Sequence, residues 1–299
     1  MSIVDDVRDR VVGATRSLFS HGPQPLEHTL DHRGDPGLLG PDSVSWRVIG
    51  DASVFVGGVR ALLIQTAHPE VVAGVGDHSA YRDDPLGRLT RTSFYVTETT
   101  FGAMPEVERS AEIVRRVHRS VRGVSERGRP YSAADPELAA WVHNVLTDSF
   151  LTAYQHFGPA RLSPDEADRF VLEQTRIGAL LGADPMPETA AELSAWITEH
   201  PDLDRSAAQR ESIEFLSSPP LAVPVRAGYA LVHQAAVSTL PDRIADLIGL
   251  SPCPGAHRVG EMSVGALRWA LGSSPAWHVA LVRTGAPIPD GLFRQQLPG

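Results

Sequence analysis

The sequence predicts an all-α fold in a single domain, and three observations support this. Apolar residues recur every three to four positions along most of the chain, whereas the strict alternation typical of β-strands is scarce. Several of these segments open on a capping residue followed by proline and end at glycine, as helices do. The 299 residues are 42% hydrophobic and 21% charged, which is ordinary for a globular protein with a sizeable core. No internal repeat, low-complexity tract or clear linker divides the chain.

The predicted helices follow one another along most of the chain. They cover residues 4–20, 50–66, 85–100, 105–123, 135–157, 163–182, 188–200, 204–216, 224–239, 241–249 and 260–272, and a further helix opens at Pro69. Between the first two helices, residues 21–45 are rich in Pro, Gly, His and Asp and predict a long irregular arm. In the helix over 50–66, Gly57 and Gly58 permit close approach of another helix.

The boundaries of the predicted helices are marked by residue type. Asp135 is expected to cap the helix over 135–157, with Pro136 in its first turn and Gly158 after its end. Ser163 and Gly182 bound the next helix in the same way. The helix over 105–123 is expected to run from Pro105 to Gly123, with acidic residues in its first turn.

Composition and charge exclude several classes of function. The net charge is −9, from 27 basic and 36 acidic residues, so no basic surplus exists to bind nucleic acid or anionic membranes. All the basic residues are arginine, which excludes Schiff-base and phosphate-loop lysine chemistry. The single cysteine, Cys253, cannot form an intrachain disulfide. The longest apolar-rich run, residues 54–69, contains Arg60 and Gln65 and is too short to span a bilayer. A cytoplasmic protein with no membrane span is therefore expected.

His118 is the leading candidate for a functional side chain. In the helix over 105–123, Val107, Ala111, Val114 and Val121 form an apolar stripe, and His118 fills the gap between the last two. An inward histidine is either neutral and hydrogen-bonded within the core, or it is a metal or haem ligand or a general base.

Three other histidines are candidates of different kinds. His143 shares a helix face with Leu146 and Phe150 and is expected to be buried, where it would act as a second ligand or orient the first. His68 precedes Pro69 at a helix start, where capping is the simpler interpretation, and His78 with Asp77 suggests a surface pair. No HExxH or CxxC spacing supports a preassembled zinc site.

A polar stripe on the helix over 85–100 suggests an anionic ligand. Arg88, Thr92, Tyr95 and Thr99 repeat at spacings of four, three and four, and Arg91 lies on an adjacent face. A solvated face is the default interpretation of such residues. The stripe contains no acidic residue, however, and inward arginines would suit a carboxylate- or propionate-bearing ligand through the bidentate guanidinium. No nucleotide-binding loop, GxSxG elbow or Ser-His-Asp triad is recognisable.

Three motifs together resemble a known family. The segments GRLTRTSFYVTETTFG, VRRVHRSVRG and YSAADPELAAWVHNVLTDSF resemble the catalytic domain of mpaB-type oxygenases and bacterial rubber oxygenases, over about residues 46–250. The resemblance divides the chain into an N-terminal helix and arm (1–45), the catalytic domain (46–250) and a C-terminal extension packed on the same domain (251–299).

The family resemblance implies a helical bundle enclosing a haem b pocket, with a histidine as the proximal iron ligand. His118 matches that ligand in RRVHRSVRG, and Arg88 and Thr92 match an arginine and a threonine near the haem. Arg122, in the same motif as His118, and His143 are also predicted to bind the cofactor. Arg91 and Thr92 are predicted to be catalytic.

Arg91 marks a departure from rubber oxygenases, which can carry a lysine at this place. Because arginine stays protonated, it offers no lone pair to iron and is expected to donate hydrogen bonds instead. The expected reaction is oxygenation of a small apolar substrate, olefinic or terpenoid-like, by dioxygen or peroxide. The alternative is a non-catalytic helical protein that binds haem or a lipid-like ligand. The sequence is compatible with a homo-oligomer.

Overall fold

The computed structural model of the protein describes residues 3–18, 25–79 and 84–294. Within these ranges the fold is helical, and the only strands form one two-stranded antiparallel sheet. The elements are α1 (Ile3–Leu18), a short 3₁₀ helix (Thr29–His32), α2 (Val44–Ile49), α3 (Val54–Gln65), α4 (Pro69–His78), α5 (Pro85–Phe101), α6 (Met104–His118), β1 (Arg122–Val124), β2 (Pro130–Ser132), α7 (Pro136–Phe157), α8 (Pro164–Ala179), α9 (Ala190–Glu199), α10 (Ala207–Ser217), α11 (Val223–Val237), α12 (Asp242–Ile248), α13 (Ala256–Leu271) and α14 (Pro275–Thr284). The predicted all-α class is confirmed.

The centre of the fold is the contact of α3 with α7, and α11 and α13 extend it on one side. A methyl group on Gly57 would lie only 2.7 Å from Phe150 Cδ1, so glycine is required where α3 crosses α7. Gly58, by contrast, has open space around it. The core around this crossing includes large side chains that are almost fully buried, among them Trp46, Phe101, Trp141 and Phe170.

A buried ion pair crosses the same interface. Arg60 of α3 donates from Nη1 to Asp148 Oδ2 at 2.6 Å and to Ser149 Oγ at 2.9 Å, both on α7. Its Nε donates to the carbonyl of Thr239, just after α11. The arginine predicted to interrupt an apolar run therefore joins three parts of the core, and its charge is neutralised there.

The predicted helix starts at Asp135 and Ser163 are confirmed. The Asp135 carboxylate accepts from the backbone N–H groups of Glu137 and Leu138 at 2.9 and 3.3 Å. Ser163 accepts from the Glu166 N–H, and the Glu166 carboxylate accepts from the Ser163 N–H in return. Both arrangements satisfy amide groups that the first helical turn leaves unpaired.

The prediction that one helix runs over 105–123 is wrong at its C-terminal end. Helix α6 ends at His118, and Arg122–Val124 instead pairs with Pro130–Ser132 as β1 and β2. The Tyr131 ring lies against Gly123, where an added methyl group would be 2.4 Å from the Tyr131 hydroxyl. Gly128 turns the chain at a φ of +74°. The pairing of β1 with β2 and its packing under Tyr131 therefore override the helical pattern after His118.

The predicted helix over 50–66 is also interrupted at its start. Helix α2 ends at Ile49 and α3 begins at Val54, with a turn between them in which the Asp51 carboxylate accepts from the Ser53 N–H. The predicted helix starting at Pro69 is observed as α4, and the predicted helix over 241–249 as α12. Helix α14 was not predicted. Residues 19–24, which include the start of the predicted arm, lie outside the described residues.

The described part of the arm is held by one buried arginine. Arg283 of α14 is 1% exposed and donates to the Thr29 hydroxyl and to the Phe101 carbonyl, each at 2.6 Å. Its Nε donates to the Asp35 carbonyl. This arginine therefore joins the arm, the end of α5 and the last helix. Among the described helices, none combines the length and apolarity that crossing a bilayer requires.

Candidate active site at the open end of a helical hairpin

Helices α5 and α6 form an antiparallel hairpin that carries most of the predicted site. Asp84 caps α5 by accepting from the Gly87 N–H at 2.9 Å, and α5 ends where Gly102 donates to the Glu98 carbonyl. Only Gly102 and Ala103 connect the two helices, and the Glu106 side chain accepts from the Ala103 N–H at 2.9 Å. This short connection forces α6 to run back along α5.

One ion pair fixes how the two helices align. Arg109 Nη2 of α6 lies 2.9 Å from Glu98 Oε1 of α5. With a helical rise of about 1.5 Å per residue, Arg88 lies about 15 Å before Glu98, and His118 lies about 14 Å beyond Arg109. Arg88 and His118 therefore lie at similar distances along their own helices from the Gly102–Ala103 connection. We call residues 88–92 and 114–118 the open end of the hairpin.

Burial decreases along both helices towards the open end. On α5, Thr99 is buried, Tyr95 is half-buried and Thr92 is exposed. On α6, Ala111 is buried and His118 is half-buried. Both stripes identified in the sequence thus begin in the core and reach solvent at the same end of the hairpin.

His118 is the last residue of α6, on the apolar stripe predicted for it. Its side chain is half-buried, less enclosed than the sequence predicted, and its ring makes no hydrogen bond to any described residue. Burial lowers the pKa of His118 below its ordinary value. The imidazole is therefore neutral at pH 7, with a nitrogen lone pair that none of the described residues occupies.

The polar residues of α5 divide into two groups. Arg88 and Tyr95 are half-buried, and the Tyr95 hydroxyl is enclosed without a hydrogen-bond partner among the described residues. Arg91 and Thr92, in contrast, are exposed rather than inward. Arg91 pairs with Asp84 at 3.3 Å, and the Thr92 hydroxyl donates to the Arg88 carbonyl at 3.1 Å.

Burial also determines the protonation state of Tyr95. It raises the pKa of the phenol well above its ordinary value, against the weaker effect of the Arg115 charge. The phenol is therefore neutral over the physiological range and can donate one hydrogen bond.

Arg122 does not lie on α6. It is exposed on β1, and its carbonyl accepts a hydrogen bond from His78 Nε2 at 2.9 Å. His78 and Asp77 were expected to form a surface pair, but Asp77 instead accepts a short hydrogen bond from the Tyr131 hydroxyl. The cofactor-binding role of Arg122 remains a prediction from the family resemblance.

His143 is enclosed between α7 and α8. Its Nε2 donates to the Gln174 carbonyl at 2.8 Å, and an added methyl group on Gly178 would lie 2.8 Å from its ring. Burial lowers the pKa of His143 to about 4, only partly opposed by the hydrogen bond to Gln174. In this position His143 holds two core helices together, and its predicted role beside the cofactor remains a prediction.

Sequence analysis missed a cluster that contains two buried histidines. His68, interpreted as a capping residue, is 3% exposed and makes no capping hydrogen bond. It lies with His200 and Asp202, and one possible ligand atom from each residue falls within 4.8 Å of the others. His68 lies far from His200 and Asp202 along the chain, so spacing alone did not connect them.

The family assignment rests on a match over most of the chain. Residues 46–271 match the family model described as ER-bound oxygenase mpaB/B′/Rubber oxygenase, catalytic domain. Neither the curated proteins nor the solved structures include a match to this chain. The matched segment begins at α2 and ends with α13, and so contains the whole α5–α6 hairpin. The chain therefore belongs to the family of mpaB/B′ and rubber oxygenase catalytic domains, and is an oxygenase-type protein.

Proposed function

We propose that this protein is a haem b-dependent oxygenase, which oxidises a small apolar substrate, olefinic or terpenoid-like, with dioxygen or peroxide. The family supports an oxygenase. The observation that carries the haem is His118: a neutral imidazole without a hydrogen-bond partner among the described residues, at the same open end of the hairpin as Arg88.

The residues at the open end fit a haem in three respects. A haem needs an axial ligand, and His118 offers a free lone pair. It needs a cation for its propionates, and Arg88 supplies a half-buried guanidinium. It also needs apolar contact, and Leu89 and Val117 are 37% and 55% exposed at the same end of the hairpin. Covering these side chains would remove apolar surface from water.

The haem would supply the activation of the oxidant, while the protein would supply binding, orientation and exclusion of water. His118 would hold the iron, and the absence of a proton at neutral pH keeps its lone pair available. Arg88 would neutralise a propionate and fix the orientation of the ring. The neutral phenol of Tyr95 would donate a hydrogen bond into the site from the buried side of the hairpin.

Arg91 and Thr92 are the proposed catalytic side chains. Thr92 lies one helical turn from Arg88 on the same stripe and would line the substrate side of the site. Arg91 remains positively charged and would donate hydrogen bonds to an anionic group. His143 and Arg122 would act around the cofactor without binding iron, since His143 Nε2 is already bonded to Gln174. A cytoplasmic location accompanies this proposal, because a single exposed cysteine requires no oxidising compartment.

The alternative function is binding of haem or a lipid-like molecule without turnover. The exposed Leu89 and Val117 favour it as much as they favour catalysis, because apolar surface binds any apolar ligand. The two functions differ in whether the bound oxidant is consumed together with a substrate.

The ultraviolet–visible spectrum of the purified full chain, before and after addition of hemin and dithionite, tests the proposal. We expect a Soret band that shifts on reduction. His118→Ala should abolish the band while the helical circular dichroism is retained, whereas His278→Ala, on α14, should leave both unchanged. An unchanged haem content in His118→Ala would exclude His118 as the ligand, and a wild-type chain that hemin cannot alter would exclude the cofactor.

Oxygen consumption by the haem-loaded chain then separates catalysis from binding. With small olefinic terpenoids, we expect consumption of dioxygen or peroxide that depends on substrate and falls at least tenfold in Thr92→Val. A Soret band without any turnover over a panel of such substrates would favour the binding protein.

A further inference from the structure

Four aromatic rings pack together at the start of α4, around the histidine cluster missed by sequence analysis. The His68 ring centroid lies 5.6 Å from that of Trp141 and 5.4 Å from that of His200. His200 in turn lies 4.9 Å from Trp141 and 4.8 Å from Trp196. Both histidines are almost fully buried, at 3% and 6% exposure. Rings at these separations are in contact, so a porphyrin does not fit between them.

His68 lacks the hydrogen bond that a buried imidazole normally makes. Its Nδ1 is enclosed and makes no hydrogen bond to any described residue, although Glu70 Oε2 lies 3.4 Å away. A polar atom left unpaired in the interior costs stability, and a small rotation of the ring toward Glu70 would pair Nδ1–H and place the lone pair on Nε2. Burial lowers the pKa of His68 to about 4 and also lowers the pKa of His200, so both rings are neutral at pH 7.

Asp202 adds an oxygen ligand to the two imidazoles. It lies in the segment between α9 and α10, and its side chain is 33% exposed. Its Oδ1 pairs with Arg129 and lies 3.9 Å from Arg127, whereas Oδ2 accepts no hydrogen bond from the described residues. His200 Nδ1 accepts from the Asp202 N–H at 3.3 Å, a long bond that the ring can give up.

We propose that His68, His200 and Asp202 bind one divalent transition-metal ion, with Zn²⁺ as the preferred ion. Two neutral imidazoles and one carboxylate are a ligand set suited to zinc, and three protein ligands leave a fourth position for water. The three ligand atoms lie within 4.8 Å of one another, whereas ligands in a tetrahedral zinc site are about 3.4 Å apart. Binding therefore requires a contraction of up to about 1.4 Å, to which the half-exposed Asp202 segment can contribute.

Glu70 is placed to orient one ligand without binding the metal itself. Its carboxylate accepts from Ser125 Oγ, and Arg127 donates to it through two nitrogens, so its oxygens are occupied. It can still accept from His68 Nδ1–H, which leaves Nε2 of that ring for the metal. Such a carboxylate behind a metal-bound histidine fixes the ring and its tautomer. Glu70 and Asp202 also offset the charges of Arg127 and Arg129 near the ion.

The metal would join the start of α4 to the segment that follows α9. This role is independent of the proposed haem, which would lie at the open end of the α5–α6 hairpin. Equilibrium dialysis of the full chain against Zn²⁺, followed by elemental analysis, tests the site, because zinc is counted separately from haem iron. We expect one zinc per chain, and a rise in the midpoint of thermal unfolding that grows with zinc concentration.

Near-isosteric variants locate the ion. His68→Gln, His200→Gln and Asp202→Asn should each weaken zinc binding at least tenfold, and Asp202→Asn, at a half-exposed position, should retain the fold. His257→Ala is the matched control, because His257 and His156 form another histidine pair, with ring centroids 5.1 Å apart. Co²⁺ should also quench the fluorescence of Trp141 and Trp196, reversibly on addition of Zn²⁺. Absence of stoichiometric zinc, or zinc lost in His257→Ala but retained in His200→Gln, would overturn the proposal.

Discussion

Two regions of the molecule differ in how their polar groups are paired. These regions are the crossing of α3 and α7 and the open end of the α5–α6 hairpin. At the crossing, Arg60 has three hydrogen-bond partners within the protein, and Gly57 fits closely against Phe150. At the open end, His118 makes no hydrogen bond with its ring among the described residues, and Val117 is 55% exposed.

At the crossing, polar groups are paired by other groups of the protein. At the open end, a ligand is needed to pair the His118 ring. At the crossing, the charge of Arg60 is neutralised and Gly57 is closely packed, so substitutions of these residues should reduce stability. At the open end, the His118 ring has no hydrogen-bond partner among the described residues, so substitutions there should change ligand binding with little effect on stability. The four predictions below test this division, beginning with the largest expected effect.

Arg60→Met should cause the largest loss of stability. It leaves the Asp148 carboxylate buried without its partner, and breaking a buried ion pair in this way costs about 3–5 kcal/mol of unfolding free energy. Urea denaturation followed by circular dichroism measures the loss. The double variant Arg60→Met/Asp148→Leu should recover much of it, because no unpaired charge remains. Equal stability of Arg60→Met and wild type would contradict a closed core at this crossing.

The free energy of unfolding should also decrease as the pH is lowered, and buried core histidines should account for most of the decrease. Burial lowers the pKa of His143 to about 4 from the ordinary value of 6.5. Between these values the unfolded chain binds more protons than the folded chain, so stability is complete above pH 6.5 and decreases towards pH 4. The loss is on the order of 3 kcal/mol for His143.

Denaturation at a series of pH values from 4 to 7 checks this dependence. His143→Gln should flatten the curve markedly. His118→Gln should flatten it less, since the His118 ring is only half-buried at the open end. A larger effect from His118 would mean that the open end of the α5–α6 hairpin is more closed than the core around His143.

The two adjacent glycines of α3 form a matched pair. Gly57→Ala should lower the unfolding free energy by about 1–3 kcal/mol, because the new methyl group overlaps Phe150. Gly58→Ala has open space and should raise it by up to about 1 kcal/mol through helix propensity. Thermal unfolding of both variants distinguishes them. Similar shifts in the same direction would show that α3 and α7 are less closely packed at Gly57.

Tyr95→Phe should have a small effect, opposite in sign to those of Arg60→Met and Gly57→Ala. It removes an enclosed hydroxyl that has no hydrogen-bond partner among the described residues, so the haem-free chain should gain up to about 1 kcal/mol of unfolding free energy. Haem binding should then be weaker than in wild type if the phenol bonds into the site. Destabilisation of the haem-free chain would instead indicate that the hydroxyl already has a partner in the protein.

The sequence predicted the elements whose signals are local. Asp135 and Ser163 cap their helices by hydrogen bonds within three residues, and such short-range contacts are recognisable from residue type. The stripes carrying His118 and Tyr95 were also recognised, because one helix determines which residues share a face.

Features that depend on long-range contacts were missed. The strand at Arg122–Val124 exists because it pairs with Pro130–Ser132 and packs under Tyr131, and the helical pattern before it gives no sign of that. The exposure of Arg91 and Thr92 follows from the decrease in burial along the hairpin, which periodicity alone does not show. His68 and His200 come together only through the packing of α4 against α7 and of α7 against α9.

The guanidinium of Arg283 has a practical consequence for how this oxygenase can be produced. The family segment ends at residue 271, before α14, whereas the partners of Arg283 include Thr29 and Asp35, which precede the segment, and Phe101 within it. Trp277 of α14 also lies against Gly50. A truncated protein limited to residues 46–271 would lack both α14 and the arm, and would expose the buried surface that they cover. The smallest soluble fragment should therefore include the arm from Thr29 and continue through α14.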